Sequence, residues 1–257
     1  MNQTEKRRFL IRSLLDEQPQ YRNMEIPSDQ IGQRRLLRSL FNIRMPGVIG
    51  EDFLKVQDEY LQTELKEKGV TAFSDLTQIE PGLYLWQGDI TTLSCDAIVN
   101  AANSGMTGCY QPCHNCIDNC IHSYAGIQLR NTCAKIMEKQ GYEEPTGQAK
   151  ITPAYNLPCK FVIHTVGPIV QGQLTGLHEE QLASCYRSCL DLAVANGVRS
   201  IAFCCISTGV FGFPQKRAAE IAIQTVREYR SKVHSTIEVI FNVFKDEDYK
   251  IYRDLLG

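Results

Sequence analysis

The sequence predicts a layered α/β/α domain that follows a helical N-terminal segment. From residue 80 onward, short apolar runs alternate with patterns of helical spacing, which is typical of strands joined by crossover helices. Several of the apolar runs lack two-residue alternation, as expected for strands covered on both faces. Of the 257 residues, 43% are hydrophobic and 22% are charged, which is ordinary for a globular chain that buries a sizeable core.

Residues 1–75 are predicted to form a helical extension. An apolar stripe at residues 9–15 indicates a first helix, and Pro27-Ser28-Asp29 is a start signal for a second one. Residues 45–47 break the second pattern, and a third helix is expected over residues 50–68. Because the region contains no Cys or His, we expect it to pack on the main domain rather than carry an independent function.

Residues 80–257 form the predicted α/β domain. Apolar runs predict strands at residues 83–86, 97–99, 161–166, 200–206 and 237–244. Helical patterns lie at residues 117–139, 177–195, 214–229 and 246–256. Ligands of such sheets bind outside the carboxyl ends of the strands, so we expect the chemistry in the loops that follow them.

The overall charge excludes some partners. The 27 Lys and Arg residues nearly balance the 29 Asp and Glu residues, giving a net charge of −2 and no drive toward nucleic acid or anionic membrane. No apolar run approaches the ~20 residues of a membrane span, and the first residues lack a secretory pattern. We therefore expect a cytoplasmic protein that binds neither nucleic acid nor membrane.

The cysteines indicate a metal site. All 11 lie beyond residue 94, and four of them fall within twelve positions around His114. Reduced thiols clustered in this way suggest metal ligation rather than disulfides. Cys109, His114 and Cys116 form a Cys-x4-His-x-Cys pattern of the ligand types that Zn²⁺ prefers. Three protein ligands would leave an open fourth position, although Cys113 or Cys120 could close the site instead.

Two other loops have the composition of ligand-binding loops. Asn100 and Asn103 flank small residues just after a predicted strand, where amides can hydrogen-bond a hydroxylated ligand. Residues 207–213 follow another strand and contain two glycines, so free backbone N–H groups can wrap an anion before the next helix. The latter loop matches no nucleoside triphosphatase motif.

Five ordered motifs within residues 80–257 resemble the macrodomain family, whose members bind ADP-ribose. They are Gly88-Asp89-Ile90-Thr91, residues 96–104, residues 117–122, residues 163–168 and residues 206–214. The resemblance implies a three-layer α/β/α fold with a mixed central sheet. Most members carry a glycine run before the helix of residue 118, whereas this chain has Gly108-Cys109 and an inserted Cys/His segment. The inserted segment makes this chain similar to the zinc-containing microbial subclass of the family. Members of that subclass are protein-ADP-ribose hydrolases. They are often associated with a sirtuin-type transferase and lipoate-carrier proteins.

The resemblance also implies roles for individual residues. Asp89 would bind the adenine amino group, with Ile90 beside the ring and Phe244 as a wall for the base. Asn103 would position the distal ribose, and Asp118 would contribute to catalysis. The diphosphate would be held by the loop after residue 206, with help from Gly108. The residues of this loop are Ser207, Thr208, Gly209, Val210 and Phe211.

Two functions follow as hypotheses. In the first, Zn²⁺ lies beside the distal ribose and the protein hydrolyses ADP-ribose from modified Asp or Glu side chains, releasing free ADP-ribose. In the second, the pocket only binds ADP-ribose and the metal stabilises the loop; a fourth sulfur from Cys113 or Cys120 would favour this alternative. His122, on the helix of residues 117–139, is interpreted as a packed or capping residue, and His164, inside an apolar strand, as a core residue.

Overall fold

Three helices form the N-terminal extension of the computed structural model, which describes all 257 residues. They are α1 (Gln3–Asp16), α2 (Gln30–Ile43) and α3 (Glu51–Lys68). Asn2 and Glu5 make a capping box at the start of α1, and the Asp29 side chain accepts a hydrogen bond from the Gly32 N–H at the start of α2. The last helix ends at Gly69, whose φ of +90° stops the helical path.

The extension has its own hydrophobic cluster. Twelve buried residues form it, and all but Ile127 come from the three helices. Inside this cluster the Arg7 Nε donates to the Gln33 Oε1 at 3.0 Å, which joins α1 to α2. Because Ile127 belongs to the following domain, the extension packs on that domain rather than standing apart from it.

A mixed sheet of seven strands forms the centre of the remaining chain. The strands of the structure are β1 (Thr71–Ala72), β2 (Gln78–Glu80), β3 (Leu83–Gln87), β4 (Leu93–Ser94), β5 (Ala97–Ala102), β6 (Ala149–Pro153), β7 (Phe161–Val166), β8 (Ser200–Phe203) and β9 (Glu238–Val243). The sheet order is β2-β3-β9-β8-β5-β7-β6, while β1 and β4 pair separately. Five central strands are parallel, and the two edge strands are antiparallel to their neighbours.

Five helices cover this sheet: α4 (Ile117–Ala125), α5 (Ile127–Gln140), α6 (Gly176–Ala195), α7 (Gln215–Lys232) and α8 (Asp246–Leu256). α6, α7 and α8 pack side by side, whereas α4 and α5 pack with one another and against β5 and β6. A core of 42 buried residues lies between the layers. The predicted layered fold with a mixed sheet and N-terminal helices is confirmed. No helix is long and apolar enough to span a membrane.

Three details differ from the sequence prediction. The helix expected at 117–139 is divided at Gly126, which has a φ of +94° and lies against the Gln57 side chain. The strand expected at 200–206 ends at Phe203, where the chain turns toward the next loop. The sequence prediction missed four short strands, β1, β2, β4 and β6, because they lie at sheet edges and carry polar residues. β6 also contains Pro153, which an edge strand tolerates.

Candidate functional site

The predicted loops lie at one edge of the sheet. β3, β9, β8, β5 and β7 run parallel, so the residues that follow them emerge on the same side. In the register, Gln87 at the end of β3 pairs with Val243 at the end of β9. The turn at residues 88–91, the Asn103 loop, the loop at 207–213 and Phe244 therefore lie at the same end of the sheet, and we call the space between them the crevice.

Asp118 is held by two amides in the first turn of α4. Its Oδ1 accepts from the Asn100 Nδ2 at 2.8 Å, and its Oδ2 accepts from the Asn103 Nδ2 at 3.2 Å. Only 5% of Asp118 is exposed. Burial raises the pKa of Asp118 to about 6, while the Asn100 bond, the Arg130 charge and the Asn103 bond act in the opposite direction. The carboxylate thus has a fixed orientation at the edge of the crevice.

Asn103 links this carboxylate to the turn that follows β5. Its Oδ1 accepts from the Gly105 N–H at 3.0 Å, and its Nδ2 also donates to the Gly108 carbonyl at 3.2 Å. Gly108 has a φ of +85°, and a Cβ there would lie 2.8 Å from the His122 ring. Only glycine fits this close approach, so the chain can pass directly over α4 before the cysteine loop begins.

Two buried histidines lie behind Asp118. The His164 Nδ1 is 3.1 Å from the Asn100 Nδ2, and its Nε2 is 2.9 Å from the Thr152 Oγ1. Burial lowers the pKa of His164 to about 3, and burial together with His164 and Arg130 lowers the pKa of His122 well below its usual value. Both rings are therefore neutral, in agreement with their interpretation as packed residues. The His122 Nε2 nevertheless lies 3.5 Å from the Asp118 Oδ1.

The cysteine loop brings together the three predicted metal ligands. The potential ligand atoms of Cys109, His114 and Cys116 all lie within 4.8 Å of one another. The Cys109 Sγ is 3.7 Å from the His114 Nδ1. A sulfur at about 2.3 Å and a nitrogen at about 2.0 Å from a tetrahedral Zn²⁺ would lie about 3.5 Å apart. The donor set and its spacing therefore fit Zn²⁺ with three protein ligands.

Cys113 and Cys120 do not join this cluster. The Cys113 Sγ lies 3.2 Å from the Ser39 Oγ, and the Cys120 Sγ lies 3.5 Å from the Arg38 Nη2. Both thiols thus contact α2 of the extension. The sequence left open whether Cys113 or Cys120 is a fourth metal ligand. The positions of their side chains do not favour it.

Asp89 lies at another end of the crevice, in the turn after β3. Its Oδ1 accepts from the Thr91 N–H at 2.9 Å and from the Thr91 Oγ1 at 2.6 Å, and its Oδ2 forms an ion pair with Lys68. Burial alone would raise the pKa of Asp89, but the Lys68 and Thr91 contacts outweigh it and hold the pKa below its usual value. Ile90 beside it is buried, and Phe244 after β9 is 74% exposed. The carboxylate is therefore ionised and oriented.

The loop at residues 207–213 offers backbone donors. The N–H groups of Gly209, Val210 and Phe211 donate no hydrogen bond within the protein. Ser207 has a φ of +64°, and its buried Oγ is also without a partner. The Thr208 Oγ1 donates to the Cys205 carbonyl at 3.1 Å and fixes the start of the loop. Unpaired N–H groups in succession before a helix suit an anion such as a diphosphate.

Comparisons with known proteins agree with this geometry. A family model described as Macro domain matches residues 99–222. A solved structure of a Trypanosoma brucei macrodomain in complex with ADP-ribose is 30% identical, with a TM-score of 0.66, covering 86% of this chain and 95% of that one. This chain belongs to the macrodomain family.

Two curated relatives resemble this macrodomain protein over all or nearly all of its length. A protein-ADP-ribose hydrolase of Treponema medium is 56% identical, with 100% of both chains covered. A protein-ADP-ribose hydrolase of Staphylococcus aureus (strain MRSA252) is 47% identical, covering 96% of this chain and 93% of the relative. Because the match includes residues 1–75 of this macrodomain protein, the helical extension is part of what these proteins share.

Several residues of this macrodomain site were not predicted from the sequence. Lys68 reaches Asp89 from α3, and Arg38 donates to the cysteine loop from α2. Arg130 lies close enough to affect the pKa of Asp118, and its guanidinium is 4.3 Å from the centroid of the Tyr110 ring. Asn100, which was expected to hydrogen-bond a ligand, is instead fully buried and donates to the Asp118 carboxylate. The spacing of Asp118 and His122, four positions apart on one helix, could have predicted that those two side chains meet.

Proposed function

We propose that the protein hydrolyses the bond between ADP-ribose and a modified protein side chain, with Zn²⁺ bound by Cys109, His114 and Cys116. One observation carries the proposal: Cys116 caps the helix whose first turn also holds Asp118, so the ligand cluster and an oriented carboxylate share one edge of the crevice. Similarity over the full length to two curated protein-ADP-ribose hydrolases supports the activity.

The crevice suits ADP-ribose along its length. Asp89 is an ionised acceptor for the adenine amino group, and Ile90 and Phe244 are apolar surfaces for the ring. The free N–H groups of residues 209–211 suit the diphosphate. Asn103 lies between the glycine turn and Asp118, where its amide can hold a ribose hydroxyl. The ADP-ribose complex of the related Trypanosoma brucei macrodomain supports the same class of ligand.

The chemistry requires a positioned water and a fixed sugar. Cys109, His114 and Cys116 would hold Zn²⁺, which would supply Lewis-acid chemistry when bound. Asp118 orients the attacking water, because the amides of Asn100 and Asn103 fix both of its oxygens. Asn103 restrains the ribose, so that the bond to the side chain faces that water.

The modified residue is proposed to be an Asp or Glu that carries mono-ADP-ribose, because a carboxylate is a good leaving group. The resemblance to the zinc-containing subclass supports a further step. We infer that the enzyme reverses the action of a sirtuin-type transferase and that a lipoyl-carrier protein is its substrate.

The alternative function is a module that binds ADP-ribose without cleaving it. In that case the metal would only stabilise the loop, and a fourth protein sulfur would complete its coordination. The positions of Cys113 and Cys120 against α2 support three ligands and an open position, and therefore support the hydrolase.

The decisive experiment compares Cys116→Ala with Cys113→Ala, a matched thiol on the same loop. We expect Cys116→Ala to lose Zn²⁺ and to release ADP-ribose from an aspartate- or glutamate-modified protein at least about 10²-fold more slowly. Cys113→Ala should keep its Zn²⁺ and release ADP-ribose at the rate of the wild type. Undiminished turnover in metal-free Cys116→Ala would remove the metal from the reaction. A wild-type protein that binds ADP-ribose but releases none would support the binding module.

A further inference from the structure

We propose that Arg38, in the N-terminal extension, is a positioning residue for the metal ligands. This inference rests on the proposed function, since it concerns the same cluster of two thiols and an imidazole. It assigns to the helical extension a direct part in the site, which the absence of Cys and His in residues 1–75 had not predicted.

Arg38 enters the cysteine loop from α2. Its Nη2 donates to the His114 carbonyl at 2.7 Å and to the Asn119 Oδ1 at 3.1 Å, and lies 3.5 Å from the Cys120 Sγ. Its guanidinium carbon also lies over the Tyr124 ring, 5.9 Å from the ring centroid. One nitrogen of Arg38 therefore fixes the backbone of the histidine ligand.

Asn119 extends this contact to the two cysteine ligands. The side chain of Asn119 is fully buried, and its Nδ2 donates to the Gln111 carbonyl at 2.9 Å and to the Cys109 carbonyl at 3.4 Å. Its backbone N–H donates to the Cys116 Sγ at 3.4 Å. Arg38 and Asn119 together thus touch all three ligand residues.

Neighbouring residues hold α2 against the loop. The Asn42 Oδ1, one turn beyond Arg38, accepts from the Cys113 N–H at 2.9 Å, and its Nδ2 donates to the Ser123 Oγ at 2.8 Å. The Arg130 Nη1 of α5 donates to the carbonyls of Phe41 and Asn42 at 3.0 and 2.7 Å. The helix that carries Arg38 is therefore fixed at its C-terminal end, and the guanidinium has a defined place.

The physical effect is preorganisation. Without these contacts the loop between β5 and α4 would have to be ordered when the metal binds, and that ordering weakens affinity. Hydrogen bonds that orient metal ligands change metal affinity by about 10- to 100-fold when they are removed. Since Arg38 acts on backbone and amide groups, its effect should appear in metal binding itself and not only in turnover.

The test uses the full-length protein with Arg38→Met, Arg38→Lys and the control Arg35→Met. Arg35 is exposed on the same helix, and its only contact with the cysteine loop is a backbone one, from the Cys113 Sγ to its carbonyl at 3.4 Å, so replacing its side chain removes the same charge without touching the ligands. We expect Zn²⁺ affinity, measured by competition with a chelator, to fall by about 10- to 100-fold in Arg38→Met. The Zn²⁺ affinity of Arg38→Lys should fall less, and that of Arg35→Met should match the wild type. The visible spectrum of the Co²⁺-loaded protein should change only in the Arg38 variants.

Different failures separate the two proposals. A wild-type protein without affinity for Zn²⁺ would overturn the metal part of the proposed function. A wild type that binds Zn²⁺, together with folded Arg38 variants of unchanged affinity and Co²⁺ spectrum, would overturn only the role of Arg38. If Arg38→Met does not fold, Arg38→Lys decides, because a single ammonium cannot reproduce the planar guanidinium and its packing against Tyr124.

Discussion

The two ends of the crevice are built differently. At the end formed by β5 and α4, polar side chains such as Asn100, Asp118 and His164 are buried and bonded to one another. At the end formed by the loops after β3, β8 and β9, the ligand-facing groups are backbone N–H groups and exposed side chains, including Val210 at 81% and Phe244 at 74% exposure. The carboxylate of the first end already has its partners within the protein, whereas the N–H groups of the second end gain partners only from a ligand.

This difference predicts that the end formed by β5 and α4 determines the rate of the reaction, and that the other end determines the affinity for the ligand. Buried groups held by several hydrogen bonds keep a geometry suited to a reaction. Exposed groups and free N–H groups gain partners only when a ligand binds, so they contribute mainly to binding. Substitutions at the two ends should therefore change different constants. Substitutions of Asp118 and Asp89 test this difference, and a substitution of His164 tests whether the buried end holds a neutral ring; the expected effects decrease from Asp118 through His164 to Asp89.

The largest effect is expected for Asp118→Asn. The substitution keeps the shape but turns one oxygen into a donor that faces the amides of Asn100 or Asn103. We expect the rate of ADP-ribose release to fall about 10²- to 10⁴-fold, while calorimetry should show ADP-ribose affinity close to that of the wild type. A variant that loses affinity but keeps its rate would break the comparison between the two ends.

The second effect concerns stability and pH, through His164. Its pKa is about 3 in the folded protein and about 6.5 in an unfolded chain, so the unfolded state takes up a proton first as the pH falls. Stability from this group is thus complete above pH 6.5 and is lost below it, by about 2 kcal/mol between pH 7.5 and 5. The pH dependence of the free energy of unfolding should be flatter by that amount in His164→Gln, as measured by urea titration.

Other groups near His164 set the control for this measurement. His122 has its ring centroid 6.0 Å away, and the Cys133 Sγ is 3.8 Å from the His164 Nε2. His122 titrates in the same direction, whereas the raised pKa of Asp118 acts in the opposite one. The difference between wild type and variant isolates His164, and identical slopes would show that the ring is not buried in its neutral form.

The smallest effect is expected for Asp89→Asn at the adenine end. The substitution removes a charged acceptor and leaves Lys68 without its ion pair. We expect ADP-ribose affinity to fall about tenfold, the weight of one charge-assisted hydrogen bond, with little change in the rate at saturation. Asp75→Asn, at the exposed end of a short 3-10 helix (Phe73–Asp75), serves as the control. A loss of rate at saturating substrate would show that this end also takes part in the reaction.

The sequence predicted elements whose cause is local. Continuous apolar runs indicated the buried strands, and the Cys/His spacing indicated a cluster that the structure brings together. The break at Gly126 was missed because helical periodicity continues on both sides of it. Arg38 and Lys68 were missed for another reason: their partners His114 and Asp89 lie 76 and 21 positions away, and only the docking of the extension brings them near.

The contacts of Arg130 indicate which residues a truncated version of this protein should retain. Its Nη1 is surrounded by the carbonyls of Phe41, Asn42 and Arg44, at 3.0, 2.7 and 2.7 Å, so this buried cation is solvated by the end of α2 rather than by water. A truncated version beginning near residue 80 would strip those acceptors away and strand the charge beside the cysteine loop. We therefore expect a version that begins near residue 80 to be less stable than one that keeps α1, α2 and α3.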